Sequence, residues 1–293
     1  MIFATLAHPA RLASSVLASA RAALVTAGAR VEGGWLDEGL AMRFALGGID
    51  ADAAHAALAR FEKLADVIVH ADPPTPFRLF VADMDSTMIG CECLDELADY
   101  AGFKPHVAAI TERAMRGELD FAAALIERVA LLKDLPEIAI AQCLAERVRP
   151  SPGARTLIAT LAAHGVRTML VSGGFTAFAE PVGDLLGFDR VVANHLGVED
   201  GKLTGTVALP IVDAAAKRTA LIAEAGARGG PRHAIAIGDG ANDITMVETA
   251  GLGLAYHPKP ALAAVADGTI RHGDLTTVLW ALGWPRADWT MPA

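Results

Sequence analysis

Short apolar runs recur along the chain, separated by longer stretches with helical spacing. Residues 2–7 predict a strand. Residues 11–27 carry apolar side chains at three- and four-residue intervals and predict a helix stopping at Gly28. Residues 30–36 and 40–47 predict two strands joined around "DEG", residues 51–64 a helix, and residues 65–70 a further strand. The resulting order β-α-β-β-α-β is that of a ferredoxin-like α+β module. "ADPPTP" at 71–76 then breaks the pattern and suits a linker, so a first domain is placed at 1–76 and a second at 77–293.

The second region has a different rhythm. Residues 78–82, 167–171, 190–194, 234–237 and 252–255 are short, apolar and barely alternating, as in strands covered on both faces. They predict a parallel sheet in an α/β domain. Between the first two lies a stretch rich in helix signals, about 93–148, read as a helical insertion that ends at "RPSPG". "GVEDGKLTG" at 197–205 reads as a hairpin tip.

Composition narrows the functional classes. The chain has 293 residues, 53% of them hydrophobic, enough for two ordinary domains with a substantial core. A net charge of −9 argues against a broad nucleic-acid surface. Three cysteines, Cys91, Cys93 and Cys143, do not make a disulfide framework and fit a reducing compartment. The pair in "CEC" lacks further ligands at metal-site spacing. Arg11 and Arg21 interrupt the first apolar stretch, so it predicts a domain helix rather than a targeting segment. No uncharged apolar run approaches the ~20 residues of a membrane span. The expectation is a cytoplasmic protein with no membrane and no nucleic-acid partner.

The chemistry gathers at the carboxyl ends of the predicted strands, where α/β sheets hold ligands. Asp83 and Asp85 follow the first strand in "FVADMDST". Ser172 follows the second in "MLVSGGF". Asp239, Asn242 and Asp243 follow a later one in "AIAIGDGANDITM", and Lys217 opens a helix in "DAAAKRTAL". Each has an ordinary reading: a solvated turn, a common loop, a tight glycine turn, a surface lysine. Their combination in one order along the chain points to phosphoryl transfer through an aspartyl phosphate.

In that chemistry Asp83 is the nucleophile, already ionised at neutral pH. Mg²⁺, on Asp83 and Asp239, offsets its repulsion from an anionic phosphate. Lys217, Ser172 and the N–H groups of Gly173 and Gly174 hold phosphate oxygens. Asp85 is the acid/base; in an extended segment it lies on the same side as Asp83, whose charge raises its proton affinity. A phospho-acceptor switch shares several of these residues but normally lacks an acid two positions after its aspartate.

These motifs resemble the haloacid dehalogenase superfamily of phosphohydrolases. "DMDSTMIGCECLDELADYAG", "ITERAMRGELDFAAALIERVALLKDLP", "LVSGGF" and "AIGDGANDITM" are similar, in order and spacing, to the phosphoserine phosphatases within it. The resemblance covers residues 78–271. It implies a Rossmann-like parallel sheet with the insertion as a helical cap, and hydrolysis of O-phosphoserine in serine biosynthesis. It also implies Mg²⁺ held by Asp83, the Asp85 carbonyl and Asp239, supported by Asp243, with phosphate held by Ser172, Gly173, Lys217 and Asn242. Glu92, Met115, Phe121 and Arg128 match substrate-binding positions. Arg128 suits a substrate carboxylate through two parallel hydrogen bonds, and Glu92 suits its ammonium. Judged from the residues alone, Arg128 is an exposed charge paired with Glu127 or with the neighbours of Asp120, and Glu92 a helix-start acid. A related phosphatase or phosphotransferase with another small ester is the alternative. The first 76 residues resemble the ACT module in topology; a structural or homodimer-forming module is the other reading.

Overall fold

The computed structural model describes residues 1–71, 76–115 and 119–291, with the side chains of Glu112, Ala114 and Met115 outside that description. Most of the "ADPPTP" linker thus lies outside the described residues.

The first six elements are β1 (Ile2–Ala7), α1 (Ser14–Thr26), β2 (Arg30–Asp37), β3 (Ala41–Gly47), α2 (Ala51–Leu58) and β4 (Asp66–Ala71). The strands lie in the order β2-β3-β1-β4, and every neighbouring pair is antiparallel. Strand alternation decides which side chains meet the helices. Ala4 and Leu6 of β1, Phe44 and Leu46 of β3, and Val67 and Val69 of β4 share one core with Leu17, Ala20 and Leu24 of α1 and Ala54 and Leu58 of α2.

Both helices are shorter than their apolar spacing predicts. Residues 10–12 are diverted before α1: the N–H groups of Ala10 and Arg11 donate to His8 Nδ1, and Leu12 N–H donates to the Gly39 carbonyl. After α2 the chain tightens into a 3₁₀ turn, Ala59–Phe61, which buries Phe61.

The second region comprises β5 (Leu79–Ala82), α3 (Cys93–Tyr100), α4 (Lys104–Met115), α5 (Phe121–Ala130), α6 (Ile138–Arg147), α7 (Ala154–Ala163), β6 (Arg167–Phe175), α8 (Thr176–Leu186), β7 (Arg190–Asn194), β8 (Leu196–Glu199), β9 (Lys202–Val207), α9 (Ala214–Gly226), β10 (Ala234–Gly238), α10 (Ile244–Thr249), β11 (Leu252–Tyr256), α11 (Pro260–Ala263), β12 (Gly268–Ile270) and α12 (Thr277–Ala281). The order β12-β11-β10-β5-β6-β7 is parallel throughout. The expected parallel α/β sheet is therefore present. Its runs lack alternation because both faces are covered: in β5, Phe80 and Ala82 enter one core, Leu79 and Val81 another.

Three features depart from the sequence reading. β6 continues through "SGGF" to Phe175, so Ser172 stands within the strand; its pairing with β7 shifts register between Val171 and Phe175. The "GKLTG" hairpin forms as β8–β9, but it is fastened to the loop between α5 and α6: Asp134 N–H donates to the Leu203 carbonyl, and Glu137 N–H to the Gly201 carbonyl.

The third is β12, a three-residue strand too short to announce itself. It pairs antiparallel with β4, so ten strands form one continuous sheet. Gly268 is needed there, because a Cβ would sit 2.5 Å from Ile68 Cγ1.

Asp66 secures this junction. Its Oδ1 accepts the N–H groups of Arg271 and His272 at 2.7 and 2.9 Å, and its Oδ2 accepts that of Gly273 at 2.8 Å. Trp280 of α12 packs on Ala7 and Ala41 and donates its indole N–H to Asp37. Asp66→Ala leaves three N–H groups without their acceptor and is expected to cost on the order of 3 kcal/mol in denaturant unfolding. Asp66→Asn, which keeps an acceptor oxygen, is expected to cost less. Equal, negligible losses in both would show that the carboxylate does not hold the junction.

Candidate active site

β5 ends where Asp83 N–H donates to the Ile237 carbonyl of β10. Asp83 itself is extended (φ −68°, ψ 158°), and its Oδ1 accepts the N–H of Met84 at 2.7 Å. The segment does not stay extended. It curls through residues 84–88, with Asp85 extended and Ser86 left-handed at φ 55°, a strained conformation for a residue with a Cβ. Asp83 and Asp85 still line one cavity, but this curl places them there rather than strand alternation.

Asp85 is held on both sides. Its Oδ1 accepts the N–H of Cys93 at the start of α3 (2.9 Å), and its Oδ2 accepts Ser172 Oγ at 3.3 Å. Burial, and then the nearby charge of Glu92, push its pKa up to about 6. The Ser172 hydroxyl also accepts Gly174 N–H at 2.8 Å, so this N–H has a partner inside the protein. Asn194 steadies the same stretch, donating to the Gly173 carbonyl at 2.8 Å and accepting Val212 N–H at 2.7 Å.

Lys217 lies one turn into α9, whose N-cap Asp213 accepts Ala216 N–H. Its ammonium is fully buried, 2.7 Å from Asp83 Oδ1 and 2.7 Å from Asp243 Oδ1. Burial lowers its proton affinity, but Asp243 and Asp83 outweigh that and hold its pKa above the usual lysine range. Asp243 uses its second oxygen to accept the N–H groups of Asp239 and Gly240 at 3.1 and 3.2 Å. A Cβ on Gly238 would lie 2.3 Å from that oxygen, which accounts for glycine before Asp239.

Asp83, Asp239 and Asp243 each bring a carboxylate oxygen within 4.8 Å of the others. Burial, reinforced by Asp243, raises the Asp83 pKa against the pull of Lys217; burial also raises that of Asp239 against Lys259. Three clustered carboxylates face two ammoniums, the buried one of Lys217 and the exposed one of Lys259, and an excess of negative charge remains. An all-oxygen donor set of that charge fits a hard divalent cation.

The same cavity, about 560 Å³, also reaches Glu92, Phe121, Arg128, Gly173 and Asn242. Ser172 and Lys217 stand buried behind its wall. Glu92 begins α3 yet makes no capping bond; it accepts Ser86 Oγ at 2.8 Å. Glu127 pairs with Arg113 at 2.7 Å, so Arg128 is not its partner, contrary to the ordinary reading of that residue. Arg128 instead faces the cavity, its Nη1 3.9 Å from Asp95 Oδ1 and its Nε donating to the Ala124 carbonyl. Phe121 opens α5 and abuts Gly173, where a Cβ would meet its ring at 2.9 Å. The Met115 side chain lies outside the described residues. Sequence reasoning missed Asp95, Asn194 and Lys259. Asp95 and Asn194 act through other residues, and Lys259 sits in a loop with no motif.

The parallel sheet, the carboxylate cluster at its carboxyl edge and the inserted helices define a phosphohydrolase-type α/β site. Models of the haloacid dehalogenase-like hydrolases match residues 80–248 and 217–282, and the chain belongs to that family. It is 49% identical to a phosphoserine phosphatase of Mycobacterium tuberculosis over 72% of this chain, spanning 52% of that protein's length. It is 46% identical to a phosphoserine phosphatase of Albidiferax ferrireducens over 69% of this chain and 88% of the relative. The crystal structure of a family hydrolase from Salmonella enterica serovar Typhi superposes with a TM-score of 0.86 at 25% identity, covering 96% of this chain and 99% of the other. That superposition includes the N-terminal unit.

Gly174 tests the packing around Asp85. A Cβ there would lie 2.8 Å from Asp85 Oδ2 and 3.0 Å from Ser172 Oγ. Gly174→Ala is expected to displace both groups and lower kcat for a phosphate monoester by up to about 10²-fold, the scale of a misplacement near 1 Å. An unaltered kcat in the folded variant would mean that the loop yields without moving Asp85.

Proposed function

We propose that this chain hydrolyses O-phosphoserine to serine and phosphate through an aspartyl phosphate on Asp83. The carrying observation is that one cavity joins the Asp83–Asp85 pair to a second polar pair, Glu92 and Arg128. A substrate with phosphate at one end and both ammonium and carboxylate at the other matches that distribution. The phosphoserine phosphatase relatives support the same substrate.

Asp83 attacks phosphorus with a carboxylate oxygen, the ester oxygen leaves, and a phosphate–Asp83 acyl bond forms. Asp85 gives its proton to the departing serine alkoxide and then takes one from the water that cleaves the acyl phosphate. Ser172 and the Cys93 N–H keep Asp85 aimed at the cavity. Lys217 keeps positive charge beside Asp83 as the anionic phosphoryl group becomes bonded there, and Asn242 and Gly173 offer further contacts to phosphate. The role of Gly174 is revised: it positions Ser172 rather than contacting phosphate. Mg²⁺ on Asp83, Asp239 and the Asp85 carbonyl, with Asp243 in support, would neutralise phosphate charge. Arg128, steadied by Asp95, receives the substrate carboxylate and Glu92 its ammonium, with Phe121 and Met115 on the cap side.

Residues 77–293 form the phosphatase domain, with about 93–148 as the cap. Residues 1–76 form a module of ACT-like type, regulatory or dimerising, a reading supported by its β-α-β-β-α-β order, although its sheet continues into that of the phosphatase domain. No helix among the described residues is long and apolar enough to cross a membrane. The three free cysteines support a cytoplasmic setting.

The test is phosphate release from phosphoserine and from an aryl phosphate. Asp83→Asn is expected to remove turnover of both, because an amide neither attacks phosphorus nor binds the cation well. Wild-type turnover in the folded variant would refute the nucleophile assignment.

Arg128→Ala and Glu92→Gln are expected to lower kcat/KM for phosphoserine roughly 10- to 150-fold, the worth of a charged hydrogen bond at about 1.5–3 kcal/mol. The aryl phosphate should change far less. Equal losses on both esters would replace phosphoserine with a broader class of small phosphate esters.

A further inference from the structure

Lys259 belongs to no motif, yet its side chain lines the catalytic cavity. It is the N-cap of α11, in the loop after β11. Its backbone N–H donates to the Asp239 carbonyl at 2.9 Å, and its Nζ lies 3.2 Å from Asp239 Oδ2. Main chain and side chain thus hold the same aspartate. The two lysines of the site divide the carboxylates between them: Lys217 takes Asp83 and Asp243, and Lys259 takes Asp239.

Their settings differ in a way that matters. The Lys217 side chain is 1% exposed and has nowhere to go, whereas that of Lys259 is 65% exposed. Asp239 is one of the three carboxylates grouped closely enough for a cation. An ammonium resting on its Oδ2 competes with a divalent cation for that carboxylate and repels it.

We infer that Lys259 holds the cation's place on Asp239, gives up that carboxylate when the cation loads, and then contacts the substrate phosphate. Only the last step rests on the phosphatase reading above. Release does not carry the residue away. Pro258 and Pro260 flank it and limit the backbone, and the bond to the Asp239 carbonyl ties its N–H. The side chain alone is free to swing, and it swings over the cavity. A Cβ on Gly240 would lie 2.6 Å from Asn242 Oδ1 and 3.6 Å from Lys259 Nζ, so both polar groups stand over the same backbone. The freed ammonium and the Asn242 amide then approach a phosphate from one side, while Lys217 stays buried between Asp83 and Asp243.

The experiment is calorimetric titration of the metal-free full chain with Mg²⁺, then of the Mg²⁺-saturated chain with inorganic phosphate. Lys259→Gln is expected to bind Mg²⁺ roughly two- to five-fold more tightly than wild type, the size of an exposed ion pair. The difference should shrink as salt rises, since the competing charge is screened. Lys259→Met should follow Lys259→Gln, and Lys259→Arg should stay near wild type. At saturating Mg²⁺, phosphate should bind roughly two- to five-fold more weakly to Lys259→Gln and Lys259→Met, the loss of one solvent-exposed ion pair.

Equal or weaker Mg²⁺ affinity in both neutral variants would overturn the place-holding role. Tighter Mg²⁺ binding with unchanged phosphate affinity would overturn the transfer to phosphate. Neither titration uses phosphoserine, so a failure of that substrate assignment reads out separately in the turnover assay.

Discussion

The buried ammonium of Lys217 is the interaction on which the site depends. It lies between Asp83 and Asp243, both withdrawn from solvent, at 2.7 Å from each. Taking any of these charges out of water alone would be prohibitive; together they are tolerable because every charge has a partner. Asp243 carries the constraint onward, since its other oxygen shapes the turn after β10 through the N–H groups of Asp239 and Gly240. Asp83, the loop bearing the third carboxylate and helix α9 are thereby locked into one arrangement. Removing one member of such a set typically costs about 3–5 kcal/mol, because the others are left buried and uncompensated.

The carboxyl edge of the sheet holds this cluster, and the sheet is wider than the phosphatase strands alone. β4 extends it through β12, and Asp66, Trp280 and Asp37 tie the N-terminal unit to the segment after β11. β11 also precedes the loop that carries Lys259. The N-terminal unit is therefore joined to the edge that carries the carboxylates through the segment after β11, from β12 to α12.

Much of this was legible in the sequence, for physical reasons. Fully covered strands are uniformly apolar, so β5, β10 and β11 stood out, and β4, whose Ile68 faces one core and Val67 and Val69 another, did too. "DMD", "GDGAND" and Lys217 were readable because their residue types suit one chemistry at strand ends. The failures share a cause: local pattern does not report what a distant residue does. α1 starts late because His8 and Gly39 claim the residues before it. β12 has three residues and becomes a strand only by pairing with β4 and β11. Lys259 and Asp95 have the look of surface charges and matter only through what stands opposite them. Arg128 shows the reverse: its neighbour Glu127 is an obvious mate in sequence, but Arg113 takes that carboxylate.

The fastening of the β8–β9 hairpin bears on how the inserted helices are hung. Two chain crossings join them to the sheet, and these are zipped together: Gly90 N–H donates to the Arg149 carbonyl and Ser151 N–H to the Met88 carbonyl. A body suspended from one such neck can pivot about it in several directions. The hairpin adds a second suspension point, since it leaves the sheet at β7, closes on itself through Ala208 N–H to the His195 carbonyl, and grips the α5–α6 loop. Two suspension points define an axis. A rigid-body motion of the helices over the cavity would be confined to rotation about that axis, with Phe121 and Gly173 at its closed end.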